Sequence, residues 1–275
     1  MKGLMGMTVG LLESRWADAL AQLVRRHGGI PRCAPAVTEQ RTADAADQVV
    51  RLLDAFETEP SPVVVFSTGY GVASLFELAA ESDRQAQLRE VLGAATTACR
   101  GPKPVAALHR EGVSATVRAA PPYTSAELLD ELRRVDLAGR LVALVHHGEP
   151  ARELAQGLAE RGARLVELLL YEWRPPTDAR PLVDLARAIA AGEVGAVAFT
   201  SGVQVRHLVE AARGVGLEAP LVAGLRERTL VGAMGPVCAR ALQSLGIAPD
   251  AVPERPTMAA LVAALAERAA TGGAR

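Results

Sequence analysis

The chain has 275 residues, of which 49% are apolar, and its 30 basic and 31 acidic residues give a formal net charge of −1. This length favours roughly two domains, and the apolar fraction suffices for two cores, which excludes a disordered chain. The balanced charge provides no global field for nucleic acid or an acidic membrane surface. No apolar run approaches the roughly 18 residues that a membrane-spanning helix needs. We therefore expect a soluble protein with no nucleic-acid or membrane partner.

The three cysteines, Cys33, Cys99 and Cys238, are far apart in the chain and odd in number. They form neither a disulfide framework nor a CxxC metal site, so we expect a reducing cytoplasmic location. No HExxH motif and no nucleophile elbow is present, which argues against metal and hydrolase chemistry.

Apolar runs and helical patterns alternate through the first half of the chain, as they do in α/β proteins. We predict strands at Thr8–Leu12, Ile30–Val37, a run from Val63, Ala94–Cys99 and Val113–Ala119. We predict helices at Arg15–His27, Ala43–Phe56, Val72–Ala80, Pro104–Glu111 and Ala126–Arg134.

The second half repeats this order. We predict strands at Leu141–His146, Val166–Tyr171, a run from Ala196 and a run from Leu230, with helices at Arg152–Glu160 and Met258–Arg268. The clearest repeat is an apolar run that ends in a phenylalanine, two hydroxyl residues and a glycine. The pattern predicts an α/β fold with two similar doubly wound parallel-sheet domains that arose from an internal repeat.

The two copies of this cassette are Val63–Val72 and Ala196–Val205. In each, a buried parallel strand leads through a hydroxyl pair and a glycine into a helix. The residues concerned are Ser67, Thr68, Gly69, Thr200, Ser201 and Gly202. These residues would lie at the carboxyl-terminal edge of the sheet, where its strands end and the following helices begin. Free backbone N–H groups at this edge can hold anions, and open α/β sheets bind their ligands there.

Glycine–proline turns follow two other predicted strands, at Gly101-Pro102-Lys103 and Gly235-Pro236-Val237. Glycine permits close approach of a ligand, and proline suits the first turn of a helix. Each turn alone has an equally good explanation as ordinary turn chemistry. Their duplicated placement favours a functional role, although neither matches a nucleotide-binding motif.

Three further residues are candidates with competing explanations. His147 follows a strand and would line a cleft, although a solvated loop explains it better. Tyr171 ends the predicted strand Val166–Tyr171 and would act as a phenolic proton donor, although ring packing is slightly favoured. Cys238 lies at a helix start that lowers thiol pKa values, although a small packing residue is the simpler interpretation.

Taken in order, these segments resemble the uroporphyrinogen-III synthase family, whose members close the tetrapyrrole ring without a cofactor. The resemblance covers essentially the whole chain, and its most specific part is Gly232–Gly246 followed by Pro253–Leu265. Cys99–Lys103 and Tyr171–Trp173 are similar to a bacterial branch that is also found fused to regulatory DNA-binding domains.

This resemblance implies two α/β domains joined by a two-stranded ladder. One would comprise residues 1–38 and 173–275 and the other residues 39–172, with the ligand cleft between them. The chain would cross between the domains near Val37–Arg41 and Tyr171–Pro175. The resemblance also implies a monomer with no cofactor and no metal.

The implied reaction converts hydroxymethylbilane, a linear small molecule with eight carboxylates, to uroporphyrinogen III with inversion of ring D. The substrate would be passed on by the preceding enzyme of the pathway. Tyr171 matches the family's tyrosine and is the candidate catalytic residue. The expected substrate-binding residues are Ser67, Thr68, Gly69, Arg100, Gly101, Lys103, His147, Thr200, Ser201, Gly202, Gly235, Pro236, Val237 and Cys238.

The chain departs from the family at two positions. Pro104 and Cys238 stand three residues after the glycines of the two Gly-Pro turns, where the family often has threonine. The loss of two hydroxyl donors supports an alternative, a non-catalytic module that senses tetrapyrroles or other anions on the same scaffold.

Overall fold

A computed structural model describes residues 3–272. The chain divides into two compact units. Unit 1 comprises the residues up to Thr38 together with those from Arg174 onward, and unit 2 comprises Glu39–Trp173. Within the described residues, no helix is both long enough and apolar enough to cross a membrane.

Short strands and helices alternate along the chain. In chain order the strands are β1 (Thr8–Leu11), β2 (Ile30–Cys33), β3 (Thr38–Arg41), β4 (Val63–Phe66), β5 (Thr96–Cys99), β6 (Val117–Arg118), β7 (Leu141–Val145), β8 (Arg164–Leu168), β9 (Tyr171–Arg174), β10 (Ala196–Phe199) and β11 (Leu230–Ala233). The helices are α1 (Ala17–Arg26), α2 (Ala45–Glu57), α3 (Gly69–Glu81), α4 (Gln85–Ala94), α5 (Pro102–Arg110), α6 (Ser125–Leu132), α7 (Arg152–Ala159), α8 (Arg180–Ala190), α9 (Gly202–Arg213), α10 (Glu218–Glu227), α11 (Pro236–Gln243) and α12 (Met258–Ala270).

The sheet of unit 2 has the strand order β6-β5-β4-β7-β8, and all of its pairings are parallel. Its central strands β4 and β7 are buried at every position, as expected for a sheet covered on both faces. Phe66 at the end of β4 is in register with Cys99 of β5 and Val145 of β7. The carboxyl ends of these three strands therefore lie side by side along one edge of the sheet.

The sheet of unit 1 has the order β11-β10-β1-β2 and is also parallel. Phe199 at the end of β10 is in register with Ala233 of β11. Ala198, one position earlier, is in register with Leu11 of β1. The strand of the second cassette thus has neighbours on both sides in the same way as β4.

Alternate residues of each cassette strand pack on opposite faces of their sheet. In unit 2, Val64 and Phe66 belong to one apolar cluster, whereas Val63 and Val65 belong to another. In unit 1 the same division separates Val197 and Phe199 from Ala196 and Ala198. This alternation is the period of a β-strand, and it shows that apolar layers cover both faces of each sheet.

The predicted α/β class with parallel sheets is confirmed, but several element bounds were wrong. Residues 166–171 do not form one strand, because β8 ends at Leu168 and Tyr171 begins β9. The predicted strand at residues 30–37 is likewise shorter, since β2 ends at Cys33 and a separate strand, β3, follows. The strands β3 and β9 pair in a two-stranded sheet of their own.

Helix starts also differ from the prediction. The helices after the first cassette and the first Gly-Pro turn begin at Gly69 and Pro102, earlier than predicted. The prediction contained no helix corresponding to α4, α8 or α10.

Candidate functional site

The carboxyl-terminal edge of the unit 2 sheet, where its strands end, brings together residues that are distant in sequence. We call this edge the edge of unit 2. One position beyond the register of Phe66, Cys99 and Val145 come Ser67, Arg100 and His146. One position further come Thr68, Gly101 and His147. Because the strands are parallel, these residues all lie at the carboxyl ends, where open α/β sheets bind ligands.

Tyr171 contacts this edge from β9. Its phenolic oxygen lies 3.0 Å from the hydroxyl oxygen of Thr68, and either group can donate. The Thr68 oxygen also accepts the backbone N–H of Gly71 at 3.0 Å, so the residue caps α3. The ring of Tyr70 packs edge-on against that of Tyr171, with centroids 4.5 Å apart. Tyr171 is only 3% exposed, so a ligand can reach only a small part of it.

Arg100 contributes a positive charge to this edge. Burial lowers the pKa of its guanidinium, and the neighbouring Tyr171 partly offsets that shift. No carboxylate among residues 3–272 forms an ion pair with it. A partly desolvated guanidinium without a counter-ion carries a free-energy cost, and its planar fork matches a carboxylate. The arrangement is therefore suited to an external anion.

His147 is held neutral beside Arg100. Burial is the main cause that lowers its pKa to about 3, and the positive charge of Arg100 and then His146 reinforce it. Its ring packs edge-on against Trp173, with centroids 5.4 Å apart. The next residue, Gly148, has φ +83°, and a Cβ there would lie 2.5 Å from the Trp173 ring. Glycine at this position therefore allows the indole to cover His147.

Two buried polar atoms at this edge have no hydrogen-bond partner within the described part of the chain. They are the hydroxyl oxygen of Ser67, a residue that is 5% exposed, and Nδ1 of His147. Buried polar atoms in native proteins are nearly always paired, so unpaired ones need an explanation. Two of them at the ends of the adjacent strands β4 and β7 indicate a place for ligand or solvent atoms.

The first Gly-Pro turn completes the edge in unit 2. Gly101 is the N-cap of α5 in an extended conformation that any residue adopts, and a Cβ there would meet Tyr123 only at an ordinary 3.5 Å. The fold therefore does not require glycine here, whereas close approach by a ligand would. Pro102 and Pro104 lack N–H groups, so Lys103 and Gly101 supply the backbone donors at the start of this helix.

The edge of unit 1 is built differently around Thr200. Its backbone N–H donates to Oε1 of Gln204 at 2.8 Å, and its hydroxyl donates to Oε2 of Glu13 at 2.5 Å. Gln204 is 3% exposed, and its amide also donates to the Thr200 hydroxyl at 2.7 Å. The Thr200 backbone N–H therefore already has an internal acceptor, and its role in holding a carboxylate stays a prediction. Ser201 and Gly202 begin α9 beyond this network.

The second Gly-Pro turn starts α11. Gly235 is its N-cap, and the nearest atom to an added Cβ would be in Pro256 at 3.8 Å. Pro236 is exposed, as is Val237, which is 55% exposed. Cys238 is 3% exposed, its thiol contacts the carbonyl oxygen of Phe199 at 3.6 Å, and burial raises its pKa to about 12. Its side chain is thus a packing group, and a contact of this residue with a ligand stays a prediction.

Comparison with known proteins identifies the family of this chain. The family model for uroporphyrinogen-III synthase HemD matches residues 18–263. The chain belongs to this family.

Relatives of the chain match it over nearly its full length. It is 32% identical over 267 residues to the uncharacterized protein YjjA of Bacillus subtilis, with 97% of each chain covered. It is 28% identical over 265 residues to a putative uroporphyrinogen-III synthase of Methanothermobacter thermautotrophicus, covering 94% of this chain and 97% of that one. A crystal structure of a mutant uroporphyrinogen III synthase from Thermus thermophilus matches with a TM-score of 0.77 at 28% identity, over 97% of this chain and 100% of that chain.

Within this family fold, the candidate residues separate into two groups. Unit 2 brings together Ser67, Thr68, Gly69, Arg100, Gly101, Lys103, His147 and Tyr171. Unit 1 brings together Thr200, Ser201, Gly202, Gly235, Pro236, Val237 and Cys238. The family is one of lyases that act on tetrapyrrole precursors, so this chain has a role of that kind.

Sequence reasoning missed two polar residues that end the strands next to the cassettes. His146 is 3% exposed, accepts the Ala151 N–H at Nδ1 (3.1 Å) and contacts Glu167 through Nε2 (2.8 Å). An open cavity of about 610 Å³ lies on this side of unit 2 and includes Asp44 and Arg51 in its lining, but neither Tyr171 nor Arg100. The charged residues that line this cavity are of both signs, so the cavity indicates no ligand class.

The second polar residue that sequence reasoning missed is Glu13, which directly follows the run Thr8–Leu12.

Proposed function

We propose that the chain is a uroporphyrinogen-III synthase, which cyclises hydroxymethylbilane with loss of water and inversion of ring D. The observation that carries this proposal is the partly buried guanidinium of Arg100, which has no carboxylate partner among residues 3–272 and lies beside Tyr171. A substrate with many carboxylates supplies the missing counter-ion. The two polar atoms without partners, on Ser67 and His147, support a ligand at the same edge.

Arg100 has the geometry for one substrate carboxylate, because a guanidinium forms two parallel hydrogen bonds to it. The neutral His147 next to it contributes a hydrogen-bonding ring without adding charge. Backbone N–H groups at the starts of α3 and α5 can hold a second carboxylate, each worth roughly 0.3–1 kcal/mol. Together these contacts restrain a flexible linear substrate, and reducing its freedom accelerates ring closure.

Tyr171 and Thr68 act as a pair in the loss of water. The carbon–oxygen bond of the hydroxymethyl group breaks, its electron pair leaves with the oxygen, and a proton from the pair converts the leaving group to water. The pyrrole nitrogen keeps its proton and supplies electrons to the carbon, so the ring becomes a positively charged, protonated azafulvene. Thr68 passes its proton to the leaving group and takes that of Tyr171, which explains how a phenol of 3% exposure can take part. Ring D then attacks this carbon through its substituted α-carbon, which forms a spiro intermediate. The bond between that α-carbon and the bridge to ring C breaks, with the ring C nitrogen supplying electrons to the bridge carbon. The bridge carbon next bonds to the free α-carbon of ring D, which inverts the ring, and the proton lost from that carbon returns to the pair.

The deciding experiment supplies hydroxymethylbilane to the purified protein and resolves the product isomers. Spontaneous closure gives uroporphyrinogen I, so formation of isomer III above the no-enzyme level supports the proposal. Isomer I alone, at the uncatalysed rate, overturns it. The Arg100→Gln variant is assayed in parallel and should raise KM, because the carboxylate contact forms in the ground state as well.

A non-catalytic sensor of tetrapyrroles is the second candidate. Pro104 favours it, because a proline at that place removes both a hydroxyl and a backbone N–H from the start of α5. In the same experiment this candidate predicts tight binding of uroporphyrinogen without conversion of hydroxymethylbilane. Turnover to isomer III excludes it.

A further inference from the structure

The sheet edges of the two units carry opposite charges. In unit 2 the residues that follow the registered strand ends include Arg100 and His146. In unit 1 the residues at the corresponding positions, one beyond Ala233 and two beyond Leu11, are Met234 and Glu13. The edge of unit 1 thus has a carboxylate beside its cassette strand, which is unexpected at a surface that serves only to bind a polyanion.

Hydrogen bonds fix the position of this carboxylate. Oε2 of Glu13 accepts the Thr200 hydroxyl at 2.5 Å and the Gln204 amide at 3.3 Å, and Oε1 accepts the Trp16 backbone N–H at 3.4 Å. Gln204 is itself held by the backbone N–H and hydroxyl of Thr200. Glu13 is therefore set in place by a network that joins the turn after β10, helix α9 and the segment after β1.

All of these donors are neutral. In the part of the chain that the structure describes, no arginine, lysine or histidine forms an ion pair with Glu13. The residue is partly exposed, so its negative charge is available to a ligand. A fixed carboxylate without a cation is complementary to N–H donors and to developing positive charge.

We propose that Glu13 accepts a pyrrole N–H of the substrate and stabilises the positive charge that the pyrrole rings acquire during ring closure. The inference rests on the proposed function, and it adds a recognition element for the pyrrole rings to those for the carboxylates. Pyrrole nitrogens are the only N–H donors of the substrate, and they become more acidic as electrons flow to the departing group. The hydrogen bond to Glu13 strengthens in that transition state, so it contributes to kcat more than to KM.

The test compares Glu13→Gln with Glu90→Gln, an exposed carboxylate on α4 that serves as the matched control. Glutamine keeps an acceptor oxygen for Thr200 but loses the charge. We expect kcat for hydroxymethylbilane to fall at least tenfold in Glu13→Gln with KM changed less than threefold, and Glu90→Gln to match the wild type.

A binding experiment keeps the inference separate from the proposed function. Uroporphyrinogen has four pyrrole N–H groups. Zinc uroporphyrin has the same carboxylates but no pyrrole N–H group. We expect Glu13→Gln to weaken binding of uroporphyrinogen at least fivefold and to leave that of zinc uroporphyrin unchanged, which also shows that the variant is folded. Arg100→Gln should weaken both ligands.

The outcomes decide between the two ideas. If the wild type binds uroporphyrinogen through Glu13 but never forms isomer III, the synthase proposal fails and the role of Glu13 in pyrrole recognition stands. If the wild type forms isomer III, and Glu13→Gln has unchanged kcat and equal affinity for both ligands, the inference about Glu13 is overturned. Absence of both turnover and binding in the wild type overturns both.

Discussion

The hydroxyl groups of Tyr171 and Thr68 lie 3.0 Å apart, although 103 positions separate the two residues in the chain. Thr68 ends the turn after β4, and Tyr171 opens β9, so the contact joins a cassette to the two-stranded sheet. The Thr68 oxygen is also the N-cap acceptor for Gly71, which restricts the directions left for its proton. This geometry makes the pair a unit whose members can be tested separately.

Replacing Tyr171 by phenylalanine removes the phenol and keeps the ring that packs on Tyr70. We expect the variant to fold like the wild type and to lose about 100-fold or more in kcat, the range of general acid catalysis. Initial rates of isomer III formation, with circular dichroism as the folding check, measure this. An unchanged kcat would remove Tyr171 from the reaction.

Thr68 offers a matched pair of variants. Thr68→Ser retains the hydroxyl and should keep both the cap and most of the activity. Thr68→Val should lose about 1 kcal/mol of stability through the missing cap and should also lower kcat. Urea unfolding and isomer III assays measure the two effects. If serine and valine are equally active, the hydroxyl at this position has no part in proton transfer.

Replacing Arg100 by methionine should raise stability while it impairs function. The guanidinium is partly buried and has no carboxylate partner among residues 3–272, so an apolar side chain of similar length relieves a desolvation cost of up to about 1 kcal/mol. Urea unfolding should show a higher midpoint, and KM for hydroxymethylbilane should rise at least fivefold. Arg133→Met, at an exposed surface pair with Asp130, should change neither quantity much. A destabilised Arg100→Met protein would contradict the interpretation.

Gly69 is required by close packing of α3 on α5. An added Cβ would lie 2.8 Å from the backbone oxygen of Lys103, which cannot move away cheaply. We expect Gly69→Ala to cost about 1–3 kcal/mol of unfolding free energy. Gly93 is the matched control, because an added Cβ in α4 meets nothing within 4 Å. Gly93→Ala should be neutral or stabilise by up to about 1 kcal/mol, and similar costs for both variants would refute the packing argument.

His147 makes stability depend on pH in a defined direction. Its pKa is about 3 in the folded protein, against an ordinary 6.5, so between these values only the unfolded chain binds the proton. The stability that His147 contributes is thus complete above pH 6.5 and decreases as the pH falls towards 3, by at most about 1.4 kcal/mol per pH unit.

The measurement is urea unfolding of the wild type and His147→Gln from pH 8 to pH 4. We expect the stability of the wild type relative to the variant to decrease steadily below pH 6.5. In an Arg100→Met background the decrease should be smaller, because one cause of the lowered pKa is gone. A difference that does not vary with pH would show that His147 is not held neutral by its surroundings.

The three thiols should differ in reactivity. Cys99 and Cys238 are buried, and burial raises the pKa of each to about 12, whereas Cys33 is exposed. We expect the folded protein to react with DTNB at Cys33 alone at pH 8, and all three thiols to react in guanidinium chloride. Cys33→Ser should abolish the reaction of the folded state. Rapid labelling of Cys238 in the folded protein would contradict its assignment as a packing residue.

Sequence patterns identified the parallel α/β class and the cassette strands, because runs such as Val63–Phe66 that are buried on both faces are continuous and apolar. They failed where a strand is short and exposed. β3 is exposed at every position, and its hydrogen bonds rather than its side chains define it. Helix α8 was missed although its buried positions Leu182, Leu185 and Ile189 have helical spacing.

The site was only partly visible in the sequence. The Gly-Pro turns and hydroxyl pairs have recognisable local chemistry, so their positions at the sheet edges could be predicted. The contact between Tyr171 and Thr68, and the bonds of Thr200 to Glu13 and Gln204, depend on tertiary register and leave no local pattern. Glu13 was therefore overlooked, and the hydrogen bond from the Thr200 backbone N–H to Gln204 was not anticipated.

The pairing of β3 with β9 has a consequence for how the polypeptide can be cut. Unit 2 is one uninterrupted stretch, Glu39–Trp173, and its first and last residues belong to the same two-stranded sheet. A fragment that encodes this stretch alone therefore begins and ends at neighbouring points and retains both of its apolar clusters. We expect such a fragment to be expressible by itself, whereas the flanking stretches must be joined by a short spacer before they can form unit 1.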